Sequence, residues 1–174
     1  MSASLPDLLG LSPSRLFAHL DPVVRLLAAR SLYAHDWGDR PTRREADLAI
    51  AQALRSREIA VRKLPVDKRA EYLSRAVRPG DGLATSLLMA LHLEERRELL
   101  AAFLDELQIP HTDGIIREDH DLAAPPASRL AGAAARLFEE YPQDEVETYL
   151  ATLLAMDRDV WGGLAPVLAS RGSR

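Results

Sequence analysis

The sequence predicts an all-α fold, and three observations carry that expectation. Leu, Ala, Arg and Glu dominate the 174 residues while Val, Ile, Thr and aromatics are scarce, which favours helices over pleated sheet. Apolar residues recur at helical spacing through most of the chain. Prolines open such stretches at positions 13, 22, 41 and 126 and interrupt or end them at 65, 110 and 142. The length suits one all-helical domain spanning 1–174, with a core that needs no staples. The expected architecture is a compact bundle of about eight helices arranged as successive hairpins.

A loose lead-in from Pro6 passes into a short helix with Ser12 as N-cap, Pro13 at its first position and Leu16, Phe17 and Leu20 on one face. Asp21 then caps a second helix, in which Val24, Leu27, Ala28, Leu32 and His35 keep register until about Asp36. Its line DPVVRLLAARSL, residues 21–32, resembles the second helix of a HEAT-type repeat, where an Asp-Pro start, a Val-Arg pair and a following Ala occupy similar positions. The resemblance covers twelve residues and implies, as an alternative architecture, a short HEAT-like α-solenoid.

The loop 34–41, AHDWGDRP, gathers polar groups and an indole around Gly38. His35, Asp36, Trp37 and Arg40 form the expected ligand or partner surface, although Trp37 also suits an anchor that folds the loop onto the core. Pro41 opens a helix reaching about Arg57, with Ala46, Ala49, Ile50, Ala53 and Leu54 inward and Arg43, Arg44, Asp47 and Arg55 outward. Residues 57–64 carry no clear period. A helix from Val66 to about Val77 follows, its stripe made by Val66, Ala70, Leu73 and Val77, with Lys68, Arg69 and Arg75 outside. Arg78-Pro79-Gly80-Asp81-Gly82 is the strongest punctuation in the chain and the expected place for a subdomain break, near 78–82.

Residues 83–121 read as two amphipathic helices and a polar loop. Leu83, Leu87, Ala90 and Leu91 form one face, the chain turns near Leu93 with His92 as a C-terminal cap, and Leu99, Leu100, Phe103, Leu104 and Leu107 form the next. Pro110 ends the second helix. Asp113-Gly114 between Ile109 and Ile115-Ile116 has the chemistry of a tight hairpin, but a helical context offers no sheet to join, and the segment is read as a loop. After the linker LAAPPAS, one helix carries Leu130, Ala134, Leu137, Phe138 and Tyr141, and the next carries Val146, Tyr149, Leu150, Leu153 and Leu154. Asp144, Glu145 and Glu147 suit the positive end of the latter. The tail holds Trp161 and a short helix interrupted by Gly162, Gly163 and Pro166. A shift of 46 residues lays Leu91, Leu100, Phe103, Leu104 and Leu107 over Leu137, Val146, Tyr149, Leu150 and Leu153, a period that HEAT-like arrays share.

The net charge of -4 hides an asymmetry. Residues 40–78 hold eleven Lys and Arg against five Asp and Glu, net +6, and residues 94–121 hold three against nine, net -6. Such segments suit a protein partner or self-association. A pI near 5.7 and a single interleaved aromatic, Tyr72, speak against a nucleic-acid binder. The absence of cysteine excludes disulfides, thiolate chemistry and cysteine-ligated metals. With no signal-like start and no apolar run of membrane-spanning length, the expected location is the cytoplasm, with no membrane partner.

Potential ligands crowd the loop 109–121. His111, Asp113, Glu118 and His120 are the expected ligands of a divalent metal, with Asp119 and Asp121 beside them, because imidazole and carboxylate are the donors a chain without cysteine can offer. A solvated acidic loop explains the same residues. No H-E-x-x-H, EF-hand, G-x-S-x-G or P-loop pattern is present, so no catalytic residue and no cofactor other than that metal is assigned. The function expected is therefore protein–protein interaction or regulation. The alternative is a small-molecule-binding or divalent-metal-dependent enzyme with a pocket near the 34–41 and 109–121 loops.

Overall fold

A computed structural model describes residues 10–34, 40–117 and 122–171 of the chain. The all-α expectation holds: these residues form helices joined by short connections, with a single two-stranded hairpin. The described residues group into two compact units, one within 13–94 and the other within 95–171 together with 10–12. Among the described residues no helix is long and apolar enough to cross a membrane.

The first unit begins with α1 (Pro13–His19) and α2 (Pro22–Tyr33). Asp21 caps α2 as its sequence position predicts, its Oδ1 accepting the Val23 N–H at 2.8 Å. Next come α3 (Arg40–Ala53), α4 (Glu58–Arg62), α5 (Val66–Ala76) and α6 (Asp81–Glu95). Helix α5 packs along α2 and also against α3, which in turn holds α4. Leu32, Ile50, Ala70 and Leu73 are buried from solvent on these helices. Helix α3 ends with Arg55 in the left-handed region at φ 51°, where the Ser56 and Arg55 N–H groups reach back to the Ala51 and Gln52 carbonyls. That reversal sends the chain into α4, a helix too short to show a period in the sequence.

Several inward and outward assignments need correction. Leu54 and Val66 are substantially exposed, whereas Asp47 is buried and Arg69 nearly so. His92 is fully buried within the last turn of α6, not in a turn between two helices, because the helix runs on to Glu95.

The second unit contains α7 (Arg97–Leu107), β1 (His111–Thr112), β2 (Ile115–Ile116), α8 (Ala127–Glu140), α9 (Gln143–Met156), α10 (Arg158–Trp161), a 3-10 turn (Gly162–Leu164) and α11 (Ala165–Arg171). Helix α8 packs on α7 and α9, and the 3-10 turn lies against α8. A Cβ on Gly163 would stand 2.8 Å from Leu130 Cδ1 and 3.3 Å from Ala127 Cα, so glycine lets the turn approach α8 closely. Phe103 sits at the centre, edge-on to Tyr149 with centroids 5.6 Å apart and 6.0 Å from Trp161. Burial raises the pKa of Tyr149.

The segment expected to be a loop forms an antiparallel hairpin, with His111 opposite Ile116 and Thr112 opposite Ile115. It needs no larger sheet because it rests on a helix. Gly114, at φ 81°, comes so close to α7 that an added Cβ would lie 2.8 Å from Leu100 Cβ. Asp113 at φ 49° completes a turn with two positive φ values. Helix α7 stops three residues before Pro110 by its own chemistry: Gln108 is left-handed, and the Ile109 N–H donates to the Leu104 carbonyl at 2.9 Å.

Candidate functional site

The most developed polar cluster lies in the first unit. Asp47 occupies the buried face of α3 beside Ala46, Ile50 and Ala51, and its side chain is only 5% exposed. A carboxylate in such a place must be neutralised and hydrogen-bonded, and two neighbouring helices supply the groups. Tyr33, at the end of α2, donates its hydroxyl to Asp47 Oδ1 at 2.8 Å. Arg69, one turn into α5, donates Nη1 to both carboxylate oxygens at 3.2 and 3.1 Å. The same guanidinium stacks over the Tyr33 ring at 4.8 Å, a cation–π contact that orients it further. Burial, followed by the Asp47 charge and hydrogen bond, pushes the Tyr33 phenol far above its ordinary pKa, so it acts as a fixed neutral donor.

This triad forms the floor of a cavity of about 420 Å³, lined by Tyr33, Arg43, Arg44, Asp47, Arg62, Val66 and Arg69. Four guanidiniums and one carboxylate line it, and with Glu58 counted against Arg44 two positive charges are in excess among the described residues. Arg44 Nε also meets Glu58 Oε1 at 3.4 Å on the exposed side. The Nε atoms of Arg43 and Arg69 are buried without a hydrogen-bond partner among the described residues. A second cavity, about 500 Å³, is bounded by Pro41, Arg44, Glu45 and Leu48. Arg44 belongs to both, so a basic hollow and an apolar hollow adjoin on the surface of α3.

The residues singled out from the sequence fare differently. His35, Asp36 and Trp37 lie outside the described residues, and Arg40 is the first residue of α3. Glu118, Asp119, His120 and Asp121 also lie outside them. His111 and Asp113 belong to the hairpin of the second unit. There the His111 ring is already engaged: Nδ1 accepts the Gly114 N–H at 3.2 Å, so Nε2 carries the proton and donates to Asp105 Oδ1 at 3.1 Å. Among the described residues no three His, Asp or Glu side chains stand where they could hold one metal ion.

Sequence reasoning missed the basic cavity because it placed Arg43, Arg44, Asp47 and Arg69 on solvated faces. One signal was present. Asp47 falls between Ala46 and Ile50 on the stripe that α3 must bury, and a carboxylate there demands a cationic partner from another helix. A scan of protein-family models, a search of curated proteins and a search of solved structures each find no match to this chain, so the site is read from its own geometry.

Proposed function

We propose that the protein is an interaction or regulatory module whose Pro13–Glu94 unit receives an anionic group of a partner in the arginine cavity. One observation carries the reading: among the described residues two arginines of a formed hollow, Arg43 and Arg62, face no carboxylate partner, and a third, Arg69, is held by a buried carboxylate and a tyrosine. Arginine side chains left free would lose entropy on closing around an oxyanion; Arg69 has lost much of it already on folding. The Asp47 carboxylate is spent on Arg69 and Tyr33, so the hollow favours binding over acid–base chemistry.

An acidic peptide tests this directly. Titration of the full chain with the acetylated, amidated hexapeptide Glu-Glu-Ala-Leu-Glu-Glu should shift the side-chain NMR signals of Arg43, Arg62 and Arg69. Raising the salt should weaken the effect. Arg62 is exposed, so Arg62→Glu should abolish the shifts without unfolding the protein. Shifts spread evenly over all surface arginines, or unaffected by Arg62→Glu, would overturn the reading.

A second copy of the chain is one partner of suitable charge, because residues 94–121 carry a net charge of -6 against +6 over 40–78. Sedimentation at low and high salt tests self-association. A monomer insensitive to salt would remove that partner.

A further inference from the structure

The charge, the rim and the surroundings of the arginine cavity restrict the anion it suits. A carboxylate would neutralise one of the two excess charges. A phosphate monoester carries about -1.5 to -2 at pH 7 and offers three acceptor oxygens, enough to engage several guanidinium forks at once. The start of α5 adds to this preference. Val66, its first residue, lines the cavity, and the N-cap position is held by Pro65, which has no side-chain acceptor for the first-turn N–H groups. An eleven-residue helix therefore presents the positive end of its dipole close to the guanidiniums, with its first-turn carboxylate, Asp67, engaged by Arg30 at 3.4 Å.

The adjoining hollow restricts the source of the phosphate. A free ion would leave the surface of Pro41 and Leu48 uncovered, whereas a peptide reaching past Arg44 would cover it with an apolar side chain. From these observations we infer that the partner segment is a phosphorylated peptide, with its phosphate in the Arg43, Arg44, Arg62 and Arg69 cavity and a nearby apolar side chain on Pro41 and Leu48. The inference rests on the reading of this cavity as an anion-accepting interface, and it adds the chemical identity of the anion and of the residue beside it.

The test uses the full chain and five labelled peptide pools of random flanking sequence, centred on phosphoserine, phosphothreonine, phosphotyrosine, glutamate or serine, with binding read by fluorescence anisotropy at 0.15 M salt. At least one phosphorylated pool should bind about tenfold more tightly than the glutamate pool, and the serine pool should not bind. Arg62→Ala should weaken the phosphopeptide about tenfold, and Leu48→Ser should weaken it severalfold while circular dichroism stays unchanged. Equal binding of the glutamate and phosphorylated pools would overturn this inference and leave the anionic-partner reading standing. Inorganic phosphate binding as tightly as the phosphopeptide would overturn the peptide component. Binding of none of the pools would overturn both readings.

Discussion

Asp47 and Asp105 each meet a nitrogen donor, but they do so in contrasting settings. Asp47, in the first unit, is 5% exposed at its side chain and shared between Arg69 and Tyr33. Asp105, at the surface of the second unit, is 76% exposed and meets the His111 ring. Burial decides the difference in consequence. An ion pair sealed from water leaves a desolvated charge behind when one partner is removed, whereas an exposed pair exchanges its partner for solvent. Arg69 is thereby a fixed part of the cavity wall. His111 instead braces a hairpin, its Nδ1 holding the Gly114 N–H.

The largest test of this contrast is Asp47→Ala. It should cost about 3 to 5 kcal/mol, because it leaves the Arg69 guanidinium and the Tyr33 hydroxyl without their acceptor. Urea denaturation measures it, and a loss below about 1 kcal/mol would place Asp47 in the same class as a surface pair and erase the distinction. Gly114→Ala comes next. An alanine there meets both a positive φ and the Leu100 side chain, so about 1 to 3 kcal/mol should be lost, with faster amide exchange confined to the hairpin.

Alkaline pH sharpens the comparison from the side of Tyr33. Its folded pKa is raised above the ordinary value of 10, chiefly by burial, so its contribution to stability is intact below pH 10 and declines as pH rises beyond that point. Above pH 10 the unfolded phenol ionises while the folded one keeps its proton, and each such tyrosine costs about 1.4 kcal/mol per pH unit. Tyr33→Phe should flatten the fall in stability between pH 10 and 11, and Tyr149, raised by burial alone, should contribute to the remaining slope together with Tyr141, raised chiefly by burial. An unchanged slope in the variant would show that the Tyr33 hydroxyl is open to solvent. The smallest effect belongs to Asp105→Ala, which should cost less than about 1 kcal/mol by thermal denaturation. A larger loss would make the His111 contact a structural clasp comparable to the Asp47 cluster.

Much of the helical framework was legible in advance. Asp21-Pro22 announced the start of α2, Pro142 separated α8 from α9, and the stripe Val146, Tyr149, Leu150, Leu153 and Leu154 is buried as its spacing predicts. These signals act within a few residues of one another. Helix α4 was not legible because five residues are fewer than two turns. The hairpin was half legible: Asp113-Gly114 named the turn, but the helix that supports it lies in a different part of the sequence. The candidate site was the least legible part, since Arg43 and Arg69 follow helical periodicity into apparently solvated positions.

What the sequence determined by itself is local: which stretches become helices, where their proline and aspartate starts fall, and which apolar stripes must be hidden. Only the tertiary structure decided what Asp47 would meet. Tyr33, Asp47 and Arg69 come from three helices and are separated by 14 and 22 residues in the chain. No local periodicity couples residues so far apart. Their convergence arises because α2, α3 and α5 pack together, and the cost of a buried carboxylate then makes the cationic partner obligatory.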